Sequence, residues 1–95
     1  MEIFDTTIRY KPDFSEAYYA KGITFQELGQ YQEAIKNFDI AIKYQPDLAE
    51  AYVNKGMALK ALAQHQKAIE IFDKLLDMNQ IWQKLIILKD FLYTN

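Results

Sequence analysis

Cysteine is absent from this 95-residue chain, and histidine and serine occur once each, at His65 and Ser15. Without cysteine the chain cannot form disulfides, thiolate metal sites or a thiol nucleophile, and its composition is compatible with a reducing compartment. A lone imidazole cannot complete a tetrahedral zinc site. Ser15 stands beside a predicted helix start and lacks the strand–turn–helix context of a nucleophilic serine. The sequence therefore predicts no metal, no cofactor and no catalytic site.

Runs of one charge and long apolar runs are missing too. The chain carries 11 Lys and Arg against 13 Asp and Glu, for a formal net charge of -2, and it has no basic cluster that could follow a phosphate backbone. No stretch approaches the roughly 18 consecutive apolar residues that a membrane-spanning helix needs. The acidic first residues do not resemble a signal peptide. We expect a soluble, cytoplasmic protein that binds neither nucleic acid nor membrane.

Proline occurs only twice, and both occurrences open the same motif. Residues 12–18, Pro-Asp-Phe-Ser-Glu-Ala-Tyr, return as residues 46–52, Pro-Asp-Leu-Ala-Glu-Ala-Tyr. When residues 15–48 are laid on residues 49–82, 12 of the 34 positions are identical. A fixed period of this length is typical of stacked helical units, each of which buries its apolar face against its neighbours.

Apolar and small residues recur at helical spacing in the first repeat, from Ala17 to Leu28 and again from Tyr31 to Ile42. Gly29 separates these two helices and suits the left-handed conformation that ends a helix. At the junctions between repeats, an aspartate followed three residues later by a glutamate predicts an N-cap with a capping-box partner. These pairs are Asp13 with Glu16 and Asp47 with Glu50.

The rest of the chain is predicted to follow the same plan. The second repeat has a helix near 48–62, a turn at Ala63-Gln64 where alanine replaces the glycine, and a helix near 65–78. Residues 2–10 match the second helix of a repeat, so the chain is expected to open halfway through one. We predict one all-α domain, 1–95, with about six helices and no strand. It comprises a partial repeat at 2–10, repeat one at 15–48, repeat two at 49–82, and a terminal capping or association helix at 81–93.

The repeats resemble the tetratricopeptide pattern of aromatic, Leu-Gly, Tyr, Ala, aromatic and Pro. Its places are filled first by Tyr18, Gly22, Phe25, Ala34, Phe38, Ala41 and Pro46, and then by Tyr52, Gly56, Leu59, Ala68 and Phe72. The resemblance implies a right-handed superhelix of helical hairpins that acts as a scaffold and binds proteins on its concave face. The small residues are expected at the closest helix approaches. Departures include Lys21 and Lys55 in place of leucine, and Gln80 in place of proline.

The resemblance also implies that the first helix of each hairpin lines the concave groove. Removing the packing positions leaves Glu16, Tyr19, Ile23, Gln26 and Glu27 in repeat one, and Glu50, Val53, Asn54, Met57 and Lys60 in repeat two. The apolar members, Tyr19, Ile23, Val53 and Met57, are predicted to form one stripe. An exposed apolar stripe usually has a partner. Either a foreign peptide or the chain's own terminal helix would cover it, and the sequence leaves both open.

One branch of the family holds a carboxylate with Lys, Asn, Asn, Lys and Arg from three successive first helices. Only two of the corresponding positions agree here; the five residues are Tyr19, Ile23, Asn54, Lys84 and Leu88. The sequence therefore argues against a carboxylate clamp.

Residues 81–93 place apolar groups around nearly the whole terminal helix, and only Gln83, Lys84, Lys89 and Asp90 are distinctly polar. A cap carries one polar face. The excess of apolar residues predicts burial on two sides, either within this chain or against another copy. We favour a homodimer that buries Trp82, Ile86, Leu88 and Phe91.

Asp39 and Asp73 recur at the same position of the second helices, and we interpret them as solvated or salt-bridged residues. The function predicted is a non-catalytic protein–protein interaction module that binds a peptide or protein segment in its groove. The alternative is a structural domain that self-associates through the apolar groove and the terminal helices.

Overall fold

The computed structural model describes the backbone of residues 1–94 and the side chains of residues 1–92, and this part of the chain contains helices and no strand. The helices are α1 (Glu2–Tyr10), α2 (Ser15–Glu27), α3 (Tyr31–Tyr44), α4 (Ala49–Ala61) and α5 (His65–Thr94). Helices α2 and α3 form one hairpin, α4 and α5 form the next, and α3 packs on α4. The predicted all-α tandem of helical hairpins is confirmed.

The turn inside the first hairpin is made by Gly29, which has a φ of 76° as predicted. The Gly29 N–H donates to the carbonyl of Gln26 at 3.0 Å, and the Gln30 N–H donates to the carbonyl of Phe25 at 2.9 Å. These two bonds define a Schellman motif, in which the residue after the helix must be left-handed.

Ala63 makes the same turn in the second hairpin, with a φ of 61°. Its N–H donates to the carbonyl of Lys60, and the Gln64 N–H donates to the carbonyl of Leu59, both at 2.9 Å. A side chain in this conformation is strained by roughly 1–2 kcal/mol because Cβ approaches the following carbonyl. The second hairpin therefore keeps the geometry of the first at a higher conformational cost.

The junction between a repeat and the preceding helix depends on proline and tyrosine. Pro12 and Pro46 start the turns, and the hydroxyl of the tyrosine six residues later reaches back to the proline carbonyl. Tyr18 donates to the carbonyl of Pro12 at 3.0 Å, and Tyr52 donates to that of Pro46 at 3.1 Å. The first helix of each hairpin, α2 or α4, is thus hydrogen-bonded to the turn that precedes it.

The predicted N-caps at Asp13 and Asp47 are wrong. The N-cap residues are Phe14 and Leu48, and neither makes a side-chain capping bond. Turn hydrogen bonds enclose each Pro-Asp pair, from the Phe14 N–H to the carbonyl of Lys11 and from the corresponding amide of the second turn. Each aspartate is therefore held one residue outside the helix that it was expected to cap.

The core lies where α2, α3 and α4 meet, and Phe38 is its largest fully buried side chain. Four alanines around it are also completely buried: Ala34, Ala41, Ala51 and Ala58. A Cβ placed on Gly22 would come within 2.5 Å of the Phe38 ring. The small residue at position 22 is required by this aromatic ring, whereas the sequence pointed to two helix backbones as the close pair.

Helix α5 is 30 residues long and runs without interruption through residues 79–82. The predicted break at Asn79-Gln80 is wrong, so residues 81–93 continue α5, and the described chain has five helices where six were expected. Gln80 and Ile86 occupy the places of Pro46 and Tyr52. Without the proline that stops the helix or the tyrosine that fastens the turn, nothing interrupts the helical hydrogen bonds.

Candidate functional site

The apolar residues predicted to line the groove lie along α2 and α4, and we call this surface the α2/α4 face (Tyr19, Ile23, Val53 and Met57). Met57 is about half exposed, and the other three are partly buried. The Tyr19 ring packs on Phe38 with 5.9 Å between ring centroids. Part of this face is therefore used in packing α2 on α3 within the first hairpin, and Met57 offers the most accessible of its apolar groups.

Tyr19 and Asn54 join the two first helices across this face. The Asn54 side-chain amide donates to the Tyr19 hydroxyl at 3.1 Å and to the carbonyl of Glu50 at 2.9 Å. Burial raises the pKa of Tyr19, the negative charge of Glu50 adds to the rise, and the hydrogen bond from Asn54 opposes it. The phenol therefore stays neutral at ordinary pH, and its hydroxyl hydrogen can donate to a bound carbonyl.

The charged groove candidates differ between the two ends of the α2/α4 face. Glu16 and Glu50 are exposed in the first turns of α2 and α4. The last turns carry Glu27 and Lys60, both exposed, with Gln26 partly buried beside them. One end of the face is therefore acidic, and the other end is mixed in charge.

Residues 79–92 of α5, here called the C-terminal extension, are exposed at every position. The four residues predicted for self-association, Trp82, Ile86, Leu88 and Phe91, are each more than half exposed. Within the described residues, no helix has the length and apolar character needed to cross a membrane. The extension is therefore a helix that exposes apolar groups on every side.

The extension does not cover the α2/α4 face. Among the other helices, α5 packs against α4 alone, and the side chains described from residue 79 onward are exposed. Of the two covers that the sequence left open, the chain's own terminal helix is therefore absent from this face in the described residues.

A cleft of about 420 Å³, which the sequence pattern did not predict, lies between α4 and the middle of α5. Its walls are mostly apolar and include Val53, Phe72, Leu75, Leu76 and Trp82. Phe72 is 37% exposed here, although its counterpart in the first repeat, Phe38, is 0% exposed. The second hairpin thus leaves open a region that the first hairpin buries.

The two lysines that depart from the family pattern form ion pairs with the preceding helix. Lys21 lies 2.8 Å from a carboxylate oxygen of Asp5, and Lys55 lies 2.6 Å from one of Asp39. The hydrogen bond from Lys21 lowers the pKa of Asp5, desolvation raises it by less, and the charge of Lys21 lowers it further. The salt-bridge interpretation of Asp39 is confirmed.

A wider hollow of about 510 Å³ opens between α3, α4 and the start of α5. Its lining mixes apolar groups with the Lys55–Asp39 ion pair, in which the charges neutralise each other. In the described part of the chain, no three side chains among His, Cys, Asp and Glu come together as a metal-binding group. The geometry of this hollow gives no arrangement of nucleophile, base or metal ligand.

Solved structures of MamA share this fold. One matches 87% of this chain with a TM-score of 0.84 at 23% identity, and a second matches the same share with a TM-score of 0.83 at 23% identity. A third, of MamA MSR-1, matches 83% with a TM-score of 0.78 at 19% identity. This chain spans about half the length of these structures, namely 48%, 45% and 45%.

A search of curated protein sequences gives no match. A family model described as "Tetratricopeptide repeat" matches residues 19–80, which is well over half of the chain. That range includes the two hairpin turns, the buried Phe38 and both hairpin glycines. On the sequence match and the observed fold together, the chain belongs to the tetratricopeptide repeat family.

Proposed function

We propose that this protein-interaction module works in assembly, and that the C-terminal extension of α5 is its main association surface. One observation carries the proposal. The extension has apolar groups on all of its sides, and every side chain described in it is exposed. Burying one large apolar side chain contributes about 1.5–3 kcal/mol. Several such side chains, among them Trp82, Leu88 and Phe91, favour a protein partner strongly.

The shape of the extension narrows the kind of partner. A helix that packs on one neighbour needs one apolar stripe, whereas this one has apolar residues on opposite sides, such as Leu85 and Ile87. One flat partner surface can therefore cover only one of these sides at a time. The formal charge of -2 on the whole chain, without a basic cluster, supports a protein over a nucleic acid as that partner. No chemical step is required of the module in this role.

The test is the mass in solution of residues 1–95, measured by light scattering across the micromolar range. We expect a dimer or larger assembly for the unmodified chain and a monomer for the double variant Leu88→Glu, Phe91→Glu, because two buried charges would be desolvated on association. The matched control is Gln32→Glu, Gln66→Glu, which adds the same charge at two exposed sites. A monomeric unmodified chain would refute the proposal.

The α2/α4 face is the second candidate, and the Tyr19–Asn54 hydrogen bond beside the exposed Met57 favours it. A protein segment with an apolar centre and a basic residue at one end would fit this face, since Glu16 and Glu50 are exposed at one end. Ile23→Glu with Met57→Glu should remove such binding and leave the helix content unchanged. The face is assigned to a partner only if that partner is lost from this variant and retained by Leu88→Glu, Phe91→Glu.

A further inference from the structure

The ion pairs between successive repeats form a series with the 34-residue period. Asp5 pairs with Lys21, and Asp39 pairs with Lys55. One period later, the same positions hold Asp73 and Lys89. The chain therefore carries the residues of a third pair in the same register.

The third pair cannot form within one molecule in this structure. Between Asp5 and Lys21, and between Asp39 and Lys55, a turn folds the later helix back along the earlier one. Asp73 and Lys89 instead lie on the continuous helix α5. Sixteen residues of α-helix advance about 24 Å and end on nearly the opposite side of the helix. Asp73 and Lys89 of one molecule are therefore too far apart to pair with each other.

The surface that a third first-type helix would cover is open. In the first repeat, α4 lies over the corresponding surface and Phe38 is fully buried. In the second repeat we call the corresponding surface the open face; it consists of Val53, Ile69, Phe72, Asp73 and Leu76. Leu76 is 55% exposed, whereas its counterpart Ile42 is partly buried.

The extension carries the residues that such a helix needs. Residues 83–92 are one period beyond 49–58 of α4, and Leu85, Leu88, Lys89 and Leu92 line one side of the extension. In the first repeat, Asn54 of α4 bonds to Tyr19 of α2. One period later, Leu88 takes the place of Asn54 and Val53 takes the place of Tyr19. The polar contact of the first repeat would therefore become an apolar contact between the extension and the open face.

We propose that the extension of one copy docks on the open face of a second copy as its missing first-type helix, with Lys89 of one copy on Asp73 of the other and Leu88 on Val53. The inference rests on the proposed assembly function and names its partner. Opposite charges at matching positions set the register. The occupant is a second copy because the extension repeats the sequence plan of the helix that fills the equivalent place in the first repeat.

Asp90, which stands at the position of Gly22 and Gly56, does not conflict with this docking. Each of those glycines faces the phenylalanine of the helix that follows it, while Lys21 faces the helix that precedes it. These contacts lie on different sides of the helix. Docking on the open face uses the lysine side, so a carboxylate at position 90 is not forced against a ring.

Charge reversal tests the register. Asp73→Lys and Lys89→Asp should each weaken self-association roughly tenfold, and the double variant should return to within about threefold of the unmodified chain. The matched control, Glu27→Lys with Lys89→Asp, has the same net charge as the double variant and should stay weak. Association constants come from sedimentation equilibrium. A double variant as weak as the single ones would overturn the proposal.

Cross-linking between introduced cysteines tests whether the partner is a second copy of this chain. The chain has no cysteine of its own that could react. Two separately purified variants, Val53→Cys and Leu88→Cys, are mixed and treated with a short bismaleimide, and we expect a covalent heterodimer. Ile87→Cys, on another side of the extension, is the control and should give little product with Val53→Cys. The unmodified chain could associate while the double charge reversal fails to restore association and this cross-link fails to form. In that case the docking inference fails and the assembly function stands. A monomeric chain refutes both.

Discussion

Residues 45–48 and residues 79–82 occupy the same stretch of the 34-residue period, yet the chain turns back at the first and continues straight at the second. At the first, Pro46 stops α3, and the Tyr52 hydroxyl holds the turn through the proline carbonyl. At the second, Gln80 and Ile86 provide neither device. In this chain the later helix turns back where both the proline and the tyrosine hydrogen bond are present, and it continues straight where both are missing.

Restoring these devices should have the largest effect. The triple variant Gln80→Pro, Ile81→Asp, Ile86→Tyr copies residues 46, 47 and 52 into the second junction. Proline inside a helix costs about 3 kcal/mol or more, so α5 should break near residue 79 and the extension should fold onto its own open face. X-ray scattering should show a radius of gyration below the 15.8 Å of this structure's Cα atoms. Gln80→Ala is the control, and an unchanged shape of the triple variant would contradict the comparison.

Alanine substitutions at Gly22 and Gly56 compare the first repeat, whose phenylalanine is buried, with the second repeat, whose phenylalanine is partly exposed. An alanine Cβ at Gly22 would meet the fully buried Phe38 ring at 2.5 Å, and one at Gly56 would meet Phe72 at 2.6 Å. Phe72 is partly exposed and can move outward. Gly22→Ala should therefore lower the free energy of unfolding by about 1–3 kcal/mol, and Gly56→Ala by less than about 1 kcal/mol, since alanine also favours the helix.

Urea denaturation measures both glycine variants. Lys36→Ala, on an exposed site, serves as the reference and should stay within about 0.5 kcal/mol of the unmodified chain. Equal losses for Gly22→Ala and Gly56→Ala would show that Phe72 is held as firmly as Phe38.

Opposite substitutions at the turns of the two hairpins should change the stability by smaller amounts. Gly29→Ala should destabilise by about 1 kcal/mol, because it places a Cβ at a φ of 76°. Ala63→Gly should stabilise by about 0.5–1 kcal/mol, because it relieves the same strain at a φ of 61°. Thermal melts of both variants decide the point, and a destabilising Ala63→Gly would mean that the second turn is not strained.

The smallest effect concerns the ion pair at the first junction. Lys21 holds the pKa of Asp5 below its usual 3.8. A lowered folded-state pKa means that the stabilisation is fully present above the unfolded-state pKa and is lost as the pH falls through the folded-state value. Between about pH 5 and about pH 2, the unmodified chain should lose slightly more stability than Asp5→Asn. Parallel pH profiles of the two proteins would argue against a contribution from this pair.

The regular part of the molecule could be predicted from the sequence because its signals are local. Helical spacing located the hairpins, Gly29 located a turn that needs a positive φ, and Tyr18 and Phe38 carried the family resemblance. The extension was expected to be buried on two sides, and the described residues 79–92 are instead exposed, so this chain does not itself supply that burial.

Other features depended on geometry that the period alone does not fix. The break expected at residue 79 was carried over from the first junction, although the residues that make it are missing there. The N-caps were assigned to Asp13 and Asp47 because the spacing to glutamate was right, but a turn hydrogen bond sets each aspartate outside its helix. The cleft beside Phe72 appears only once α5 is known to run straight.

The straight course of α5 also fixes a rotational phase between the body and the extension. Each helical residue advances about 1.5 Å and turns about 100°. Removing one residue near position 81 would leave Leu88 intact yet rotate it by more than a quarter turn relative to Asp73. Removing four would shorten the helix by about 6 Å and restore nearly the original orientation. The number of residues between Asp73 and Lys89, and not only their identity, sets the angle between the two side chains around the axis of α5.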